Sequence, residues 1–283
     1  MQRSPMLQKP MSERLWAMAV WAVVVLFVVN LFAMIGTVVL QSFATRWLGS
    51  WLPAGYTARW YGSAWDEFQL EDVLLVTFQA VGAVVLVSGL LGVPAAYALA
   101  RRQFPGKRLI MLLFLLPLLV PPITYGIPMA TVLYRAGIAG TIWGVILSNL
   151  VPTVPFVIFV MVPFIEQIDP RVEAAARVFG AGTGRLFLHV LLPLLAPGIL
   201  AALLLVLVRT IAMFELTFLT AGPDSQTLVV ALYYAVFAAG VRSTQSINAM
   251  AVIYMVTTLL WLLVALRFVN PTQIVTRAKR EGA

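Results

Sequence analysis

Six long apolar runs decide what this chain can become. They fall near residues 15–40, 73–100, 109–134, 142–165, 198–221 and 246–268, and a helix needs only ~20 apolar residues to cross roughly 30 Å of hydrocarbon. Inside a bilayer no water is at hand for backbone N–H and C=O groups, so each run must satisfy them internally, as a helix does. Hydrophobic residues make up 61% of the 283 and charged residues 11%, against roughly 45–50% and 25% in soluble domains. The expected fold class is all-α, a polytopic membrane protein with about six transmembrane helices in one membrane domain. With no cysteine in the sequence, disulfides and thiolate metal sites are excluded, and the lone His189 cannot hold a metal by itself. No cluster of His, Asp or Glu lies within the runs, which argues against an integral-membrane enzyme and predicts no metal site.

The net charge of +8 is a matter of topology rather than of nucleic-acid binding, and no nucleic-acid partner is expected. With the N-terminus inside, segments 1–14, 101–108, 166–197 and the tail from Arg267 carry 14 of the 19 Lys and Arg residues. The positive-inside rule selects that orientation, with both termini cytoplasmic. The first run follows Arg3, Lys9 and Arg14 as a signal peptide would, but its length and the lack of a small-residue cleavage site predict a retained anchor. The outer segment from Gln41 to Asp72 holds Trp47, Trp51, Trp60, Trp65, Tyr56 and Tyr61, an aromatic density that suits a membrane interface, with a solute-contacting surface as the alternative.

Prolines interrupt the third and fourth runs at Pro117, Pro121, Pro122 and Pro128, then at Pro152, Pro155 and Pro163. Each removes a backbone donor, so neighbours or water must serve the freed carbonyls. Ordinary kinks are one reading. The other is that Pro121, Pro122, Thr124, Tyr125 and Gly126 expose polar backbone to a wet pathway. Only two charges lie within a span, Arg209 and Glu215. A central Arg costs about 2.5–3.5 kcal/mol on insertion scales, so Arg209 should face the bundle or a cavity. On one continuous helix Glu215 would lie about 120° round from it, too far to pair. Both residues then serve either neighbouring helices or the solute, and Asn149 either an interhelical hydrogen bond or a ligand contact.

The segment 166–197 is too charged and too rich in Gly and Pro to span, yet it is ordered in pattern. Asp169 before Pro170 reads as an N-cap with proline at the first helical position. Gly180 supplies a stop, and Val172, Ala175, Ala176 and Phe179 follow helical spacing. Thr183 can cap a second short helix with Phe187, Val190 and Leu191 on one side, ended by Pro193 and Pro197, and placing His189 near its C-terminus. Helices this short are marginal alone, so the apolar face needs a partner, whether this protein's own helices, another protein or the lipid surface.

The order Glu173-Ala174-Ala175, then Gly180-Ala181, Phe187, and Leu192-Pro193 with Pro197 resembles the EAA loop of permease subunits of binding-protein-dependent ABC importers. "AAYALARRQFPGKR" (95–108), "LLPLLVPP" (115–122) and "FELTFLTAGPDSQTLVVALY" (214–233) resemble other parts of that family. One departure is Ala174, where the family often has a second acidic residue. The resemblance implies the type I ABC importer permease fold, with 1–72 as tail, first span and external aromatic segment, 73–268 as permease core, and 269–283 as a cytoplasmic tail. It implies a coupling helix that docks in a groove of a cytoplasmic ATPase through Asp169, Glu173, Ala174, Ala175, Arg177, Phe179, Gly180, Ala181, Leu192 and Pro193, with Arg185 at the rim. It also implies a second permease subunit, an ATP-binding subunit dimer, an external solute-binding protein and a bacterial inner-membrane location. Pro121, Pro122, Tyr125, Asn149, Arg209, Phe214 and Glu215 are the candidate pathway residues. The chain holds no G-x-x-x-x-G-K-[ST], so no cofactor is expected here, and ATP and Mg²⁺ belong on the partner. Polyamine and opine permeases are the nearest in appearance, implying a small charged solute, with sulfate, iron and thiamine relatives beside them. The alternative is a stand-alone secondary transporter or channel.

Overall fold

A computed structural model describes residues 11–47, 49–237 and 242–268. Arg3, Lys9 and the expected tail 269–283 lie outside the described residues. The chain divides into two compact units, one within residues 1–64 and 241–252, the other within 65–240 and 253–283.

In the first unit, α1 (Met11–Phe43) is long and mostly apolar, and its most apolar stretch has none of its residues buried. The chain then turns back through an isolated bridge between Ala44 and Tyr56. Trp60 Nε1 donates to the Ala44 carbonyl at 2.8 Å, and Ser42 Oγ and Tyr61 OH share a hydrogen bond of 2.8 Å. Two of the aromatic residues expected to form an interfacial belt are therefore internal pins, while Trp51 is almost wholly exposed. Both pins sit on α2 (Arg59–Glu67).

The second unit is built on α3 (Leu70–Arg101), α6 (Ile142–Glu166) and α9 (Leu192–Ile211). In lipid the hydrophobic effect does not press helices together, so small residues and polar bonds must do so. Gly92 of α3 illustrates the first device: a Cβ there would come within 2.7 Å of Val157 on α6. Val84, Val93 and Leu99 of α3 pack in one core with Val157, Ile158 and Met161 of α6 and Leu195 and Val206 of α9.

The third apolar run is not one straight helix. It breaks into α4 (Lys107–Leu119) and α5 (Pro122–Arg135), bent by 102°. Pro121 and Pro122 cannot donate to the preceding turn, and the Tyr125 hydroxyl donates, over a long 3.5 Å, to the Pro117 carbonyl that Pro121 leaves open. Among the described residues five helices are long and apolar enough to span, and six if the bent pair counts as one.

The fifth run also departs from expectation. Helical backbone runs without a break from Thr183, through a π turn at 187–191, into α9, so Pro193 and Pro197 lie inside a continuous helix long enough to span rather than ending an element before it. It stops at Ile211 and resumes as α10 (Glu215–Thr220), so Arg209 and Glu215 sit on different helices and the 120° separation does not apply. A short α11 (Leu228–Phe237) follows, its first-turn Leu228 N–H satisfied by Thr77 Oγ1 of α3 at 2.8 Å. The last element among the described residues is α12 (Thr244–Phe268).

Candidate coupling helix and intramembrane polar site

Residues 169–181 fold as the local chemistry requires. In α7 (Pro170–Val178), the Asp169 carboxylate accepts the Arg171 N–H at 2.9 Å, and Pro170 occupies the first helical position. At the other end Gly180 takes φ +82°, a left-handed conformation that strains other residues. There the Gly180 N–H reaches the Arg177 carbonyl at 2.9 Å and the Ala181 N–H the Ala176 carbonyl at 3.0 Å. Those two bonds are the pair that defines a Schellman cap. Beyond it come α8 (Thr183–Leu186) and a π turn over Phe187–Leu191 that carries an exposed His189. The N-cap of α8 is Gly182, so Thr183 is its first residue rather than its cap. Leu186 and Leu191 are fully buried, with Phe187 and Val190 packed beside them.

Glu173 does not face outward. It is 7% exposed, with the Arg101 Nε 2.7 Å from one carboxylate oxygen and the Tyr97 hydroxyl 2.7 Å from the other. The remaining arm of Arg101 donates to the Ile168 carbonyl at 2.6 Å. One guanidinium thus holds both ends of the turn into α7, and Phe187 packs edge-on against the Tyr97 ring. Ala176 and Ala181 pack on the core beside this cluster. What α7 presents outward is the rest: Asp169, Ala174, Ala175 and Arg177 are exposed, and so are Leu192 and Pro193 at the start of α9. Val178 is 86% and Phe179 90% exposed. Sequence reading missed Tyr97 and Arg101. Arg101 was visible as part of a basic turn, but only as a topology marker.

Within the membrane-spanning part, Asn149 of α6 donates to Thr217 Oγ1 of α10 at 3.1 Å and to its own Val145 carbonyl at 2.8 Å. The preceding residue, Ser148, shares a bond of 3.0 Å between its Oγ and Oγ1 of Thr220, one turn further along α10. These bonds hold α10 to α6, and Gly126 lets α5 come close to Leu216 and Leu219 on the same helix. Arg209 and Glu215 are half-buried, and among the described residues neither has a hydrogen bond or ion pair. Arg209 stands 5.4 Å over the Phe156 ring, and both charges act electrostatically on the Tyr125 hydroxyl. Phe214 stacks on Phe218, and both meet Tyr233 of α11. The structure therefore gathers Tyr125, Arg209 and Glu215 in one electrostatic neighbourhood, with Phe214 in a ring cluster next to Glu215 in sequence. Asn149 serves as an interhelical bond, and Pro121 and Pro122 make the bend.

An all-α membrane protein with this helix order and broken spans has the type I ABC importer permease fold. The model of the family described as "binding-protein-dependent transport system inner membrane component" matches residues 88–273. The chain belongs to that family. It is 33% identical over 150 residues to the diacetylchitobiose uptake permease protein NgcG of Streptomyces coelicolor, covering 53% of this chain and 50% of that one. To the trehalose transport permease protein SugB of Mycobacterium tuberculosis it is 34% identical, covering 47% and 49%. To the molybdenum transport permease protein ModB of Escherichia coli K12 it is 30% identical, covering 57% and 78%. The chain thus spans about half the length of the first two relatives. A bacterial ABC transporter involved in import of the acidic polysaccharide alginate shares the fold at a TM-score of 0.76 with 16% identity, over 94% of this chain and 100% of that one. The alginate transporter in complex with its pentasaccharide-bound periplasmic protein matches at 0.66, again with 16% identity, over 90% and 93%. These relatives carry sugars and molybdenum in their names, and they give the narrower polyamine or opine expectation no support.

Proposed function

We propose that this chain is one of two permease subunits of an ATP-driven importer, with α7 as the element that docks in a groove of a separate ATPase subunit. On this reading ATP and Mg²⁺ bind to that partner, both chain termini lie on its side of the membrane, and a loaded external binding protein acts from the opposite side. Cavities open alternately as the two permeases rock between two states. Reversing such an equilibrium from 1:99 to 99:1 takes about 5.5 kcal/mol, which differential ATP binding must supply. The observation that carries the proposal is the division of α7 into two faces. Glu173 fixes one face to α3, while Val178 and Phe179 stand 86% and 90% exposed at the tip of a helix capped at both ends. A stiff rod with a bare apolar tip suits helix-in-groove recognition better than it suits a flexible connector.

The test is a photo-crosslinker placed at Phe179 in the native membrane. Capture of a nucleotide-hydrolysing chain is expected, whereas capture of lipid or of this polypeptide alone overturns the reading. Burying a Phe is worth roughly 1.5–3 kcal/mol, so Phe179→Ala should weaken ATPase association about 10- to 100-fold. The solute is addressed separately, by purifying the companion binding protein and measuring its thermal shift with trehalose, molybdate and spermidine. The spermidine arm tests the polyamine expectation directly.

A further inference from the structure

We infer that the cluster of Tyr97, Arg101 and Glu173 is the mechanical joint through which motion of α7 enters the membrane-spanning helices, with α3 as the helix that receives it. The inference rests on the reading of α7 as the ATPase-docking helix, and it assigns to three side chains the task of making that helix move as one body with α3.

Three observations carry it. The first is that the connection is polar and buried. Glu173 is 7% exposed and accepts from two α3 side chains at 2.7 Å each, one of them the guanidinium of Arg101 in an ion pair. A buried carboxylate with both oxygens engaged is costly to pull from its partners, because either half left alone is an unpaired buried charge.

The second is that the joint resists twisting as well as separation. Arg101 uses its Nε on Glu173 and its Nη2 on the Ile168 carbonyl, so one guanidinium grips α7 and the residue that precedes its cap. A planar fork with donors fixed in direction holds an angle as well as a distance, which a lysine ammonium cannot do.

The third is that α3 leads somewhere. Nine residues before Arg101, Gly92 brings the backbone of α3 against Val157 of α6. On α6 the side chains of Ser148 and Asn149 bond Thr220 and Thr217 of α10. The first residue of α10 is Glu215, one of the two charges that the sequence placed in the fifth apolar run. A continuous series of close contacts therefore runs from the docking helix to the helix that carries Glu215. By contrast α7 meets α8 through a two-glycine stretch, Gly180-Ala181-Gly182, which transmits a push less stiffly.

The test uses the whole importer, this chain with its companion permease and ATPase subunits in proteoliposomes, with MgATP alone as the probe. Because the sequence has no cysteine, nitroxide labels at Arg171→Cys in α7 and Leu90→Cys in α3 report a single chosen distance. Both positions are exposed and neither is part of the joint. A single distance peak, at the same position in the nucleotide-free complex and in the complex trapped with MgATP and vanadate, is expected. In Glu173→Gln the peak should shift or split on trapping, while ATP hydrolysis persists and transport per ATP falls about tenfold, equivalent to about 1.4 kcal/mol of lost coupling. Glu173→Asp, which keeps the carboxylate that both donors need, should retain the single peak, a rescue that loss of packing alone would not show. If Glu173→Gln does not insert, Arg101→Lys and Tyr97→Phe, which keep the charges, take its place. A native peak that itself moves between the two states, or a Glu173→Gln peak that stays fixed, overturns the joint. Should the ATPase never accompany the native chain, the docking role of α7 fails first, and the joint with it.

Discussion

Arg209 and Glu215 are the residues whose chemistry least fits their surroundings. Each is half-buried, Arg209 near the end of a helix long enough to span and Glu215 at the start of the short α10 beyond its break, and among the described residues neither has an ion pair or hydrogen bond. A central Arg costs about 2.5–3.5 kcal/mol on insertion scales, and the Phe156 ring 5.4 Å away returns only about 0.5–2 kcal/mol. The net cost predicts a trade between stability and activity. Arg209→Met should leave the thermal midpoint of the purified complex unchanged or raise it by a few degrees, while uptake falls at least tenfold. A large drop in midpoint would instead mean that Arg209 is a structural residue with a strong partner. Such side-chain relations were partly legible in the sequence. Asn149 in an apolar run had to find a bond and found Thr217, because lipid leaves few alternatives. Glu173 was misplaced: helical spacing marked Val172, Ala175, Ala176 and Phe179 as the side needing cover, yet the structure buries Glu173, covers Ala176 in part and leaves Phe179 bare. Its partners lie more than seventy positions upstream, and no local pattern points to them.

At the scale of elements, nine-residue α7 persists because its ends are tied. An Asx cap contributes about 1 kcal/mol, and a left-handed glycine spares the roughly 1–2 kcal/mol that a Cβ would cost there. Gly180→Ala should therefore speed amide exchange across residues 170–181 by about 5- to 30-fold, measured by mass spectrometry on the intact complex, with Gly180→Asn closer to native. Exchange unchanged in Gly180→Ala would show that the joint to α3, rather than the cap, sets the order of α7. Both caps could be read from sequence because they are written within a few residues. The 102° bend between α4 and α5 was half legible: Pro121-Pro122 announced an interruption but not its angle. The break at 212–214 was not legible, since Ala212-Met213-Phe214 contains no proline or glycine. It coincides with bonds from α10 to α6 that belong to tertiary structure, and these override a sequence otherwise suited to continue the helix.

For the whole molecule, the question is what keeps the end bearing α7 and the end bearing α10 in register along α3 and α6. No hydrophobic pressure is available between helices in lipid, so close backbone approach must supply van der Waals contact. Gly92 is such a point between α3 and α6: a Cβ would sit 2.7 Å from both Cβ and Cγ1 of Val157 and 3.3 Å from the Val154 carbonyl. Val157→Ala removes the Cγ1 clash but keeps Cβ, and the backbone contact with Val154 stays, so relief in the double variant is partial, which fixes the form of the prediction. Gly92→Ala should cost about 1–3 kcal/mol through overpacking. Val157→Ala alone should cost about 0.5–1.5 kcal/mol by opening a small void, taking loss of methyl-sized groups as the guide. Made together, the two should cost less than their sum by at least about 0.5 kcal/mol, the scale of coupling between residues in contact. Thermal unfolding of the four proteins in one detergent measures the cycle. Because helix spacing here bears on register as well as stability, the same cycle read in uptake should show Gly92→Ala impaired and the double variant partly recovered. Strict additivity in both measurements would mean that α3 and α6 separate freely at this level, and a motion entering at Arg101 would then have no rigid route past Gly92.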